Sequence, residues 1–178
     1  MIVNFTSFII VKFEYCTIIS EKITIMIFDA IDSKLLHLLQ TDSKQTNKAL
    51  SLQLNLSVTA VYERIRKLEK TGIVKQYVAL VDKTKVQKDF VAFCHIKLVQ
   101  HTQDYVVKFE REVIQLNEVL ECYHLSGDYD YLVKVLVKDM KAFREFMVEK
   151  LTKIDHIGST HSMFMINEVK HTTAISFQ

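Results

Sequence analysis

Three short amphipathic patterns in the first half of the chain predict three helices. In the first, leucines recur at helical spacing after Asp29 and Asp32, whose carboxylates suit a helix N-terminus. Thr46 can cap a second, short helix over the sequence NKALSLQL, and Ser57 can cap a third. Between these two helices, Asn55 tolerates the left-handed conformation that a sharp helix-to-helix turn needs.

The third predicted helix has two distinct faces. Four apolar residues at helical spacing predict its buried stripe: Val58, Val61, Ile65 and Leu68. At 100° per residue, polar residues cluster on the far side or flank it: Thr59, Tyr62, Glu63, Arg64, Arg66, Lys67 and Lys70. Gly72 predicts the end of this helix, and the segment IVKQYVALVD, residues 73–82, predicts a strand that leads away from it.

The second half of the chain alternates strand and helix patterns in the order βαββαβ. The predicted strands are 91–99, 119–126, 131–137 and 159–167, and the predicted helices are 104–116 and 140–154. A further edge strand is predicted at 172–177. This order is that of a ferredoxin-like sheet covered by helices on one face, so the expected fold class is α+β, with a three-helix unit first.

Charge is divided unevenly between the two parts. Residues 26–88 carry 11 Lys/Arg and 6 Asp/Glu, a net charge of +5, whereas residues 89–178 carry 10 and 13, a net charge of −3. A basic surface suits a polyanion, so we expect any nucleic-acid contact to come from the N-terminal part.

A short helix, a tight turn and a longer helix with basic residues are the parts of a helix-turn-helix, whose second helix enters the DNA major groove. Under this interpretation Thr59, Tyr62 and Arg66 face base edges, and the other basic residues of that helix reach phosphates. A solvated charged face on an ordinary helix is the alternative, which the preceding helix, the turn and the basic charge together make less favourable. The full candidate DNA-binding set is Thr46, Ser57, Thr59, Tyr62, Glu63, Arg64, Arg66, Lys67 and Lys70.

The segment SGDYDYL, residues 126–132, supports two interpretations. Its glycine and two aspartates can simply form a tight hairpin. Alternatively, backbone N–H groups around Gly127 can receive a carboxylate while Asp128 or Asp130 pairs with an ammonium, so that a zwitterion finds both partners in one loop. The residues alone leave the two interpretations level.

No catalytic or metal-binding pattern emerges, so we expect neither an enzyme nor a metal or other cofactor. GxSxG, P-loop and GxGxxG motifs are absent, and Cys94 and His95 are adjacent on a strand, which points them to opposite faces. The three cysteines lack a CxxC pair and the seven histidines lack metal-ligand spacing, which favours a reducing cytoplasm. Residues 1–25 are apolar but interrupted by charges, so they predict neither a membrane span nor a signal, and we assign this extension no function.

Both motifs, in this order, resemble the Lrp/AsnC family of feast/famine transcriptional regulators over roughly residues 31–177. LSVTAVYERIRKLEKTGIVKQYVALVD is similar to the family's recognition helix and hinge strand, and GDYDYLVKV is similar to its effector-domain loop. IGSTHSMFMINEVKHTTA is similar to its closing strands, with Thr160 and Ser162 at the usual hydroxyl positions. The chain departs from the family in its N-terminal extension and in Asn55, where a glycine is common.

The resemblance implies a winged-type helix-turn-helix followed by a ferredoxin-like effector domain, in homodimers that assemble into larger rings, commonly octamers. It also implies a small effector, often an amino acid, with the candidate contacts Ser126, Gly127, Asp128, Tyr129, Asp130, Thr160 and Ser162. The expected domains are the extension at 1–25, a helix-turn-helix domain at 26–75, a hinge strand and linker at 76–88, and an effector-binding and oligomerisation domain at 89–178.

We therefore expect a cytoplasmic, sequence-specific regulator that binds double-stranded promoter DNA and responds to an amino acid or a related metabolite, with no membrane partner. The alternative is a small-molecule-binding regulatory module that acts by protein contact without touching DNA. The basic N-terminal part favours the first, because such a module has no need of it.

Overall fold

The computed structural model describes residues 29–177, so the interpretation of residues 1–25 lies outside the described residues. The chain forms two compact units. We call them the helical unit, which contains the described residues 29–78 and 172–177, and the sheet unit, residues 79–171.

The helical unit contains three helices that begin at side-chain caps. Their bounds are α1 Ala30–Thr41, α2 Asn47–Leu54 and α3 Val58–Lys70. Asp29 and Asp32 form a capping box at the start of α1. Thr46 Oγ1 and Ser57 Oγ each accept a hydrogen bond of 3.1 Å from the backbone N–H three residues later. These bonds satisfy N–H groups that the first turn of a helix leaves without partners, and they confirm the predicted caps.

The turn between α2 and α3 passes through Asn55, whose φ of 54° and ψ of 48° are left-handed, as predicted. This turn brings the N–H of Leu56 to the carbonyl oxygen of Ser51 at 3.0 Å. After α3, Gly72 adopts a φ of 73° and ends the helix.

The core of the helical unit is a leucine-rich cluster. Its buried members are Leu35, Leu36, Leu39, Leu50, Val61 and Leu68. The predicted inward stripe of α3 is confirmed at Val61 and Leu68 and partly at Ile65, but it is wrong at Val58, which is 48% exposed. Val58 is the first residue of α3, and its side chain is exposed although Val61, one turn later, is fully buried.

Two predicted strands are wrong. Residues 73–82 and 172–177 have no regular secondary structure, and no paired wing follows α3 within residues 29–177. A strand forms only with a hydrogen-bonded neighbour, which these segments lack in the described sheet. In the first segment Tyr77 Oη instead donates to Glu69 Oε1 of α3 at 3.0 Å. Partial desolvation of the phenol, with this carboxylate beside it, raises the pKa of Tyr77 to about 12.

The sheet unit confirms the predicted ferredoxin-like order. Its elements are β1 Phe90–Leu98, α4 Gln103–Val113, β2 Val119–His124, β3 Tyr131–Val137, α5 Met140–Glu149, a 3-10 turn Leu151–Lys153 and β4 Ile157–Phe164. The strands lie in the order β2-β3-β1-β4, and every pairing is antiparallel. The sheet therefore has the topology expected from the alternation of patterns along the chain.

One face of this sheet packs against α4 and α5. Alternate residues of β1 and β3 are buried in a core with phenylalanines of the two helices, among them Cys94, Ile96, Val133, Val135, Phe109 and Phe146. On the opposite face, Phe93, Leu132 and Leu136 are half-buried, and Met163 is exposed. The helices leave this second face, which we call the open face, without a covering layer.

An ion-pair cluster joins α1 to α3. Arg64 Nη1 lies 2.6 Å from Asp32 Oδ1 and 2.8 Å from Asp29 Oδ2, and Lys67 Nζ lies 3.9 Å from Asp32 Oδ2. The Asp32 side chain is only 1% exposed. The backbone N–H of Asp32 and the guanidinium hold the pKa of Asp29 below its ordinary value, and the carboxylates of Asp32 and Asp29 raise the pKa of Arg64. The cluster therefore fixes the orientation of α3 relative to α1.

Replacing Arg64 by alanine should lower the free energy of unfolding by about 3 kcal/mol, because the buried Asp32 carboxylate loses its main partner. Lys67→Ala is the matched control, since this ammonium is more exposed and farther from Asp32, and it should cost less than about 1 kcal/mol. Urea unfolding followed by circular dichroism at neutral pH measures both. Equal, small losses would show that Asp32 does not depend on Arg64.

Candidate nucleic-acid interface and effector site

The exposed face of α3 carries most of the predicted DNA contacts. Solvent reaches Thr59, Tyr62, Glu63, Arg66, Lys67 and Lys70. Because successive helical residues turn by 100°, Thr59, Tyr62 and Arg66 lie on one side of the first turns of α3. That side combines two hydroxyl groups with a guanidinium.

Thr46 and Ser57 serve as caps in this structure. Their hydroxyl oxygens accept backbone N–H groups at the starts of α2 and α3. A hydroxyl can accept and donate at the same time, so each O–H is still able to donate to an anion.

Arg64, which the sequence predicted as a phosphate contact, forms ion pairs within the helical unit in this structure. Its side chain is 27% exposed, and its guanidinium lies against Asp29 and Asp32 at the start of α1. These partners precede it by 35 and 32 residues, so the spacing within α3 gave no indication of them. The geometry makes Arg64 the residue that positions α3.

Two basic residues near the start of α2 were missed. Lys44 and Lys48 flank the Thr46 cap, and both are exposed. The sequence did contain a signal for these two lysines, namely positive charge beside a predicted helix cap. Helix N-termini and lysines both attract phosphate.

The predicted effector loop is a hairpin closed by its own backbone. The N–H of Leu125 donates to the carbonyl oxygen of Asp130 at 2.8 Å. Gly127 has a φ of 123°, a conformation that other residues rarely adopt. Ser126, Gly127 and Asp128 are all exposed.

Asp130 differs from Asp128 because its carboxylate is already engaged. Oδ2 accepts the N–H of Leu98 at 2.7 Å, and Oδ1 lies 3.0 Å from His101 Nδ1. Its own N–H donates to the carbonyl oxygen of Ile96 at 2.9 Å. Asp130 thus ties the end of the loop to the end of β1, which leaves Asp128 as the carboxylate available to a ligand.

The remaining candidates lie on both sides of the sheet. Thr160 and Ser162 pair with Ile96 and Cys94, whose side chains face the helices, and directly paired residues share a face. Ser162 Oγ lies 3.5 Å from Cys94 Sγ, and burial raises the pKa of this thiol. Within one chain, the hydroxyls of Thr160 and Ser162 therefore lie on the opposite side of the sheet from the open face.

Tyr129 belongs to the open face. Its ring lies 4.8 Å from that of His95 and 6.3 Å from that of His161, between ring centroids. His95 Nδ1 is buried and has no hydrogen-bond partner among the described residues. The sequence pattern gave no indication that His95 lies beside the loop, because the two are far apart along the chain.

Among residues 29–177, no group of three or more His, Cys, Asp or Glu side chains is placed to hold a metal ion. No helix of that part of the chain is long and apolar enough to cross a membrane.

Two family models match the chain. One describes the AsnC-type helix-turn-helix domain and matches residues 28–69, and the other describes the Lrp/AsnC ligand binding domain and matches residues 91–175.

Named relatives match over most of their length. The DNA-binding transcriptional activator DecR of Escherichia coli strain K12 is 35% identical over 150 residues, which cover 84% of this chain and 99% of DecR. The leucine-responsive regulatory protein of the same strain is 34% identical over 147 residues, which cover 83% and 90%.

Solved structures agree with the fold. A transcriptional regulator of Neisseria meningitidis, solved as a complex with L-Met, superposes with a TM-score of 0.80 at 34% identity and covers 84% of this chain and 96% of that one. AsnC of E. coli reaches a TM-score of 0.78 at 24% identity, over 83% and 98%, and supports the fold alone. The two family models and these relatives, together with the helix-turn-helix and the ferredoxin-like sheet, show that the chain belongs to the Lrp/AsnC family. This is a family of transcriptional regulators and not of enzymes.

Proposed function

We propose that this protein is a sequence-specific transcriptional regulator that reads the DNA major groove with α3 and responds to an amino acid or a related metabolite. The observation that carries the proposal is the construction of α3, which is capped by Ser57, exposes polar side chains from its first turns and is tied to α1 by Arg64. A helix held firmly along its buried side and exposed at its tip is suited to groove insertion. The names of DecR and of the leucine-responsive protein agree with this function.

Direct base contacts are assigned to Thr59, Tyr62 and Arg66. A guanidinium can donate two hydrogen bonds to guanine, which is the commonest specific contact in the major groove. Glu63, on the same exposed face, can accept from the amino group of cytosine. The proposed phosphate contacts are Lys67 and Lys70 of α3, Lys44 and Lys48 beside the α2 cap, and the hydroxyls of Thr46 and Ser57.

The effector is proposed to bind at the 126–130 loop. Backbone N–H groups around the exposed Gly127 suit a carboxylate, and the exposed Asp128 carboxylate suits an ammonium, so one loop matches both charged ends of an amino acid. The complex of the Neisseria relative with L-Met supports this class of ligand. Tyr129 and His95 supply an aromatic surface beside the loop. Thr160 and Ser162 stay candidates with neutral hydroxyls, but they lie on the helix side of the sheet, so they should contribute less affinity than Asp128.

A homodimer, and larger assemblies up to an octamer, are proposed to form through the uncovered apolar surfaces. The open face carries Phe93, Leu132 and Leu136, and an antiparallel sheet with an apolar second face favours a partner layer. Val78 and Leu80, in the unpaired segment after α3, are also largely exposed. The proposed compartment is the cytoplasm, where the thiols Cys94 and Cys122 stay reduced.

Arg66→Ala should cost about 1–3 kcal/mol of binding free energy and relax specificity at one base pair, because a base-edge contact distinguishes sequences. Lys70→Ala should weaken all sequences alike and reduce the salt slope by about one. Duplexes selected from a random pool, and their single-base variants, can be titrated over a salt series to measure both. Equal, sequence-blind losses would contradict base reading by Arg66. Selection of no duplex by the parent protein would favour the module that acts without DNA.

Placing a charge on the open face should weaken assembly. Leu132→Asp buries a carboxylate wherever a second copy covers this face, so light scattering at micromolar concentration should show a smaller species than the parent. Val148→Asp is the control, because Val148 is exposed on the outer side of α5. A monomeric parent, or equal effects of the two substitutions, would contradict assembly through the open face.

Asp128→Ala should remove most of the thermal stabilisation by an effector found in a panel of the common amino acids, while leaving the melting temperature without ligand unchanged. A charged hydrogen bond is worth about 1–3 kcal/mol, so affinity should fall between about fivefold and 150-fold. Asp130→Ala should instead lower the melting temperature without ligand, because Leu98 and His101 lose their partner. Full stabilisation of Asp128→Ala by the effector would show that the loop is only a turn.

A further inference from the structure

The C-terminal segment, residues 172–177, belongs to the helical unit although it follows the last strand of the sheet. Gln40, near the end of α1, makes two hydrogen bonds to the backbone of Ile175. Gln40 Nε2 donates to the carbonyl oxygen at 3.0 Å, and Oε1 accepts from the N–H at 2.7 Å. This exchange reproduces the hydrogen-bonded pair of an antiparallel sheet, with a glutamine amide in place of one backbone. The opposite orientation of the Gln40 amide would place its NH2 group against the N–H of Ile175. The two hydrogen bonds to Ile175 therefore determine which way the amide points.

Phe177 gives the same segment an apolar anchor. Its ring is partly buried against the leucine cluster of the helical unit, where Leu38 and Leu54 also pack. Ser176 and Phe177 form one wall of a cavity of about 640 Å³ whose other walls come from α1 and α2 and include Gln53. The segment is thus recognised in two ways, by its backbone at residue 175 and by an aromatic side chain two residues later.

Neither contact is accounted for by the proposed DNA or effector sites. Both act on α1, the helix whose start carries the Asp29 and Asp32 partners of Arg64. The chain leading to the segment is also held at its other end, because the N–H of Met165 donates to the carbonyl oxygen of Val91 in β1 at 3.0 Å. Docking of a tethered segment is intramolecular, so even a weak site is filled at an effective concentration in the millimolar range.

We propose that α1 and α2 form a binding site for an extended peptide and that its occupant is the chain's own segment 172–177, which acts as a clasp on α1. Gln40 forms hydrogen bonds with the peptide backbone, and the leucine cluster packs against the phenylalanine ring. The clasp stabilises the helix on which the orientation of α3 depends. The proposal stands on these contacts and does not require DNA binding.

Deletion of residues 172–178 should speed hydrogen exchange at the buried α1 amides of Leu35, Leu36 and Leu39 by about tenfold, because two hydrogen bonds and a partly buried aromatic ring are lost. A synthetic peptide of residues 172–178, added in trans at millimolar concentration, should restore protection to the deleted chain. The same peptide with alanine in place of Phe177 should not. Unchanged exchange on deletion would overturn the clasp, and so would equal restoration by the two peptides.

A point variant in the full chain tests the backbone contact separately. Gln40→Ala should also speed exchange in α1, by a smaller factor than the deletion, because Phe177 remains. Gln53→Ala is the matched control, since Gln53 lines the same cavity but bonds to Gln45 and to the carbonyl oxygen of Ala49. If the deleted chain does not fold its helical unit, the two point variants decide the question. Faster α1 exchange in Gln40→Ala than in Gln53→Ala supports the clasp. Equal exchange in the two variants overturns it.

Discussion

A carboxylate that is withdrawn from water must keep a cation beside it, and in this protein the pairing of Asp32 with Arg64 sets the orientation of α3. Asp32 also belongs to the capping box that starts α1, so one side chain serves the beginning of one helix and the placement of another. The direction in which Thr59, Tyr62 and Arg66 point follows from this contact. The proposed specificity of the exposed face therefore depends on a carboxylate that is almost completely withdrawn from solvent.

The sheet unit also contains two neighbouring charged residues of which one is engaged in internal contacts and the other is exposed. Asp128 and Asp130 are two residues apart and chemically identical, yet Asp130 is engaged by Leu98 and His101 whereas Asp128 is exposed. Arg64 and Arg66 form the corresponding pair in α3. In each pair one charge is engaged within the structure and its neighbour is exposed to solvent. Local sequence cannot distinguish them, because the decisive contact comes from a distant part of the chain.

Local rules were therefore sufficient for part of the structure. The caps at Thr46 and Ser57, the left-handed Asn55 and the order of elements in the sheet depend on neighbouring residues and on periodicity, and these were predicted correctly. The predicted strands at 73–82 and 172–177 failed because strand formation needs a partner that periodicity does not specify. The positioning role of Arg64 could not be predicted, because it requires knowledge of how α1 packs on α3.

Gly127 has a consequence for how ligand preference can diverge within such a fold. An added Cβ would meet no atom within 4 Å, so space does not exclude other residues there, but the φ of 123° does. The path of the loop is consequently encoded in its backbone rather than in side-chain packing. Ser126, Asp128 and Tyr129 can then be exchanged by mutation while the loop keeps its shape, so the proposed effector site can acquire new ligand chemistry without refolding.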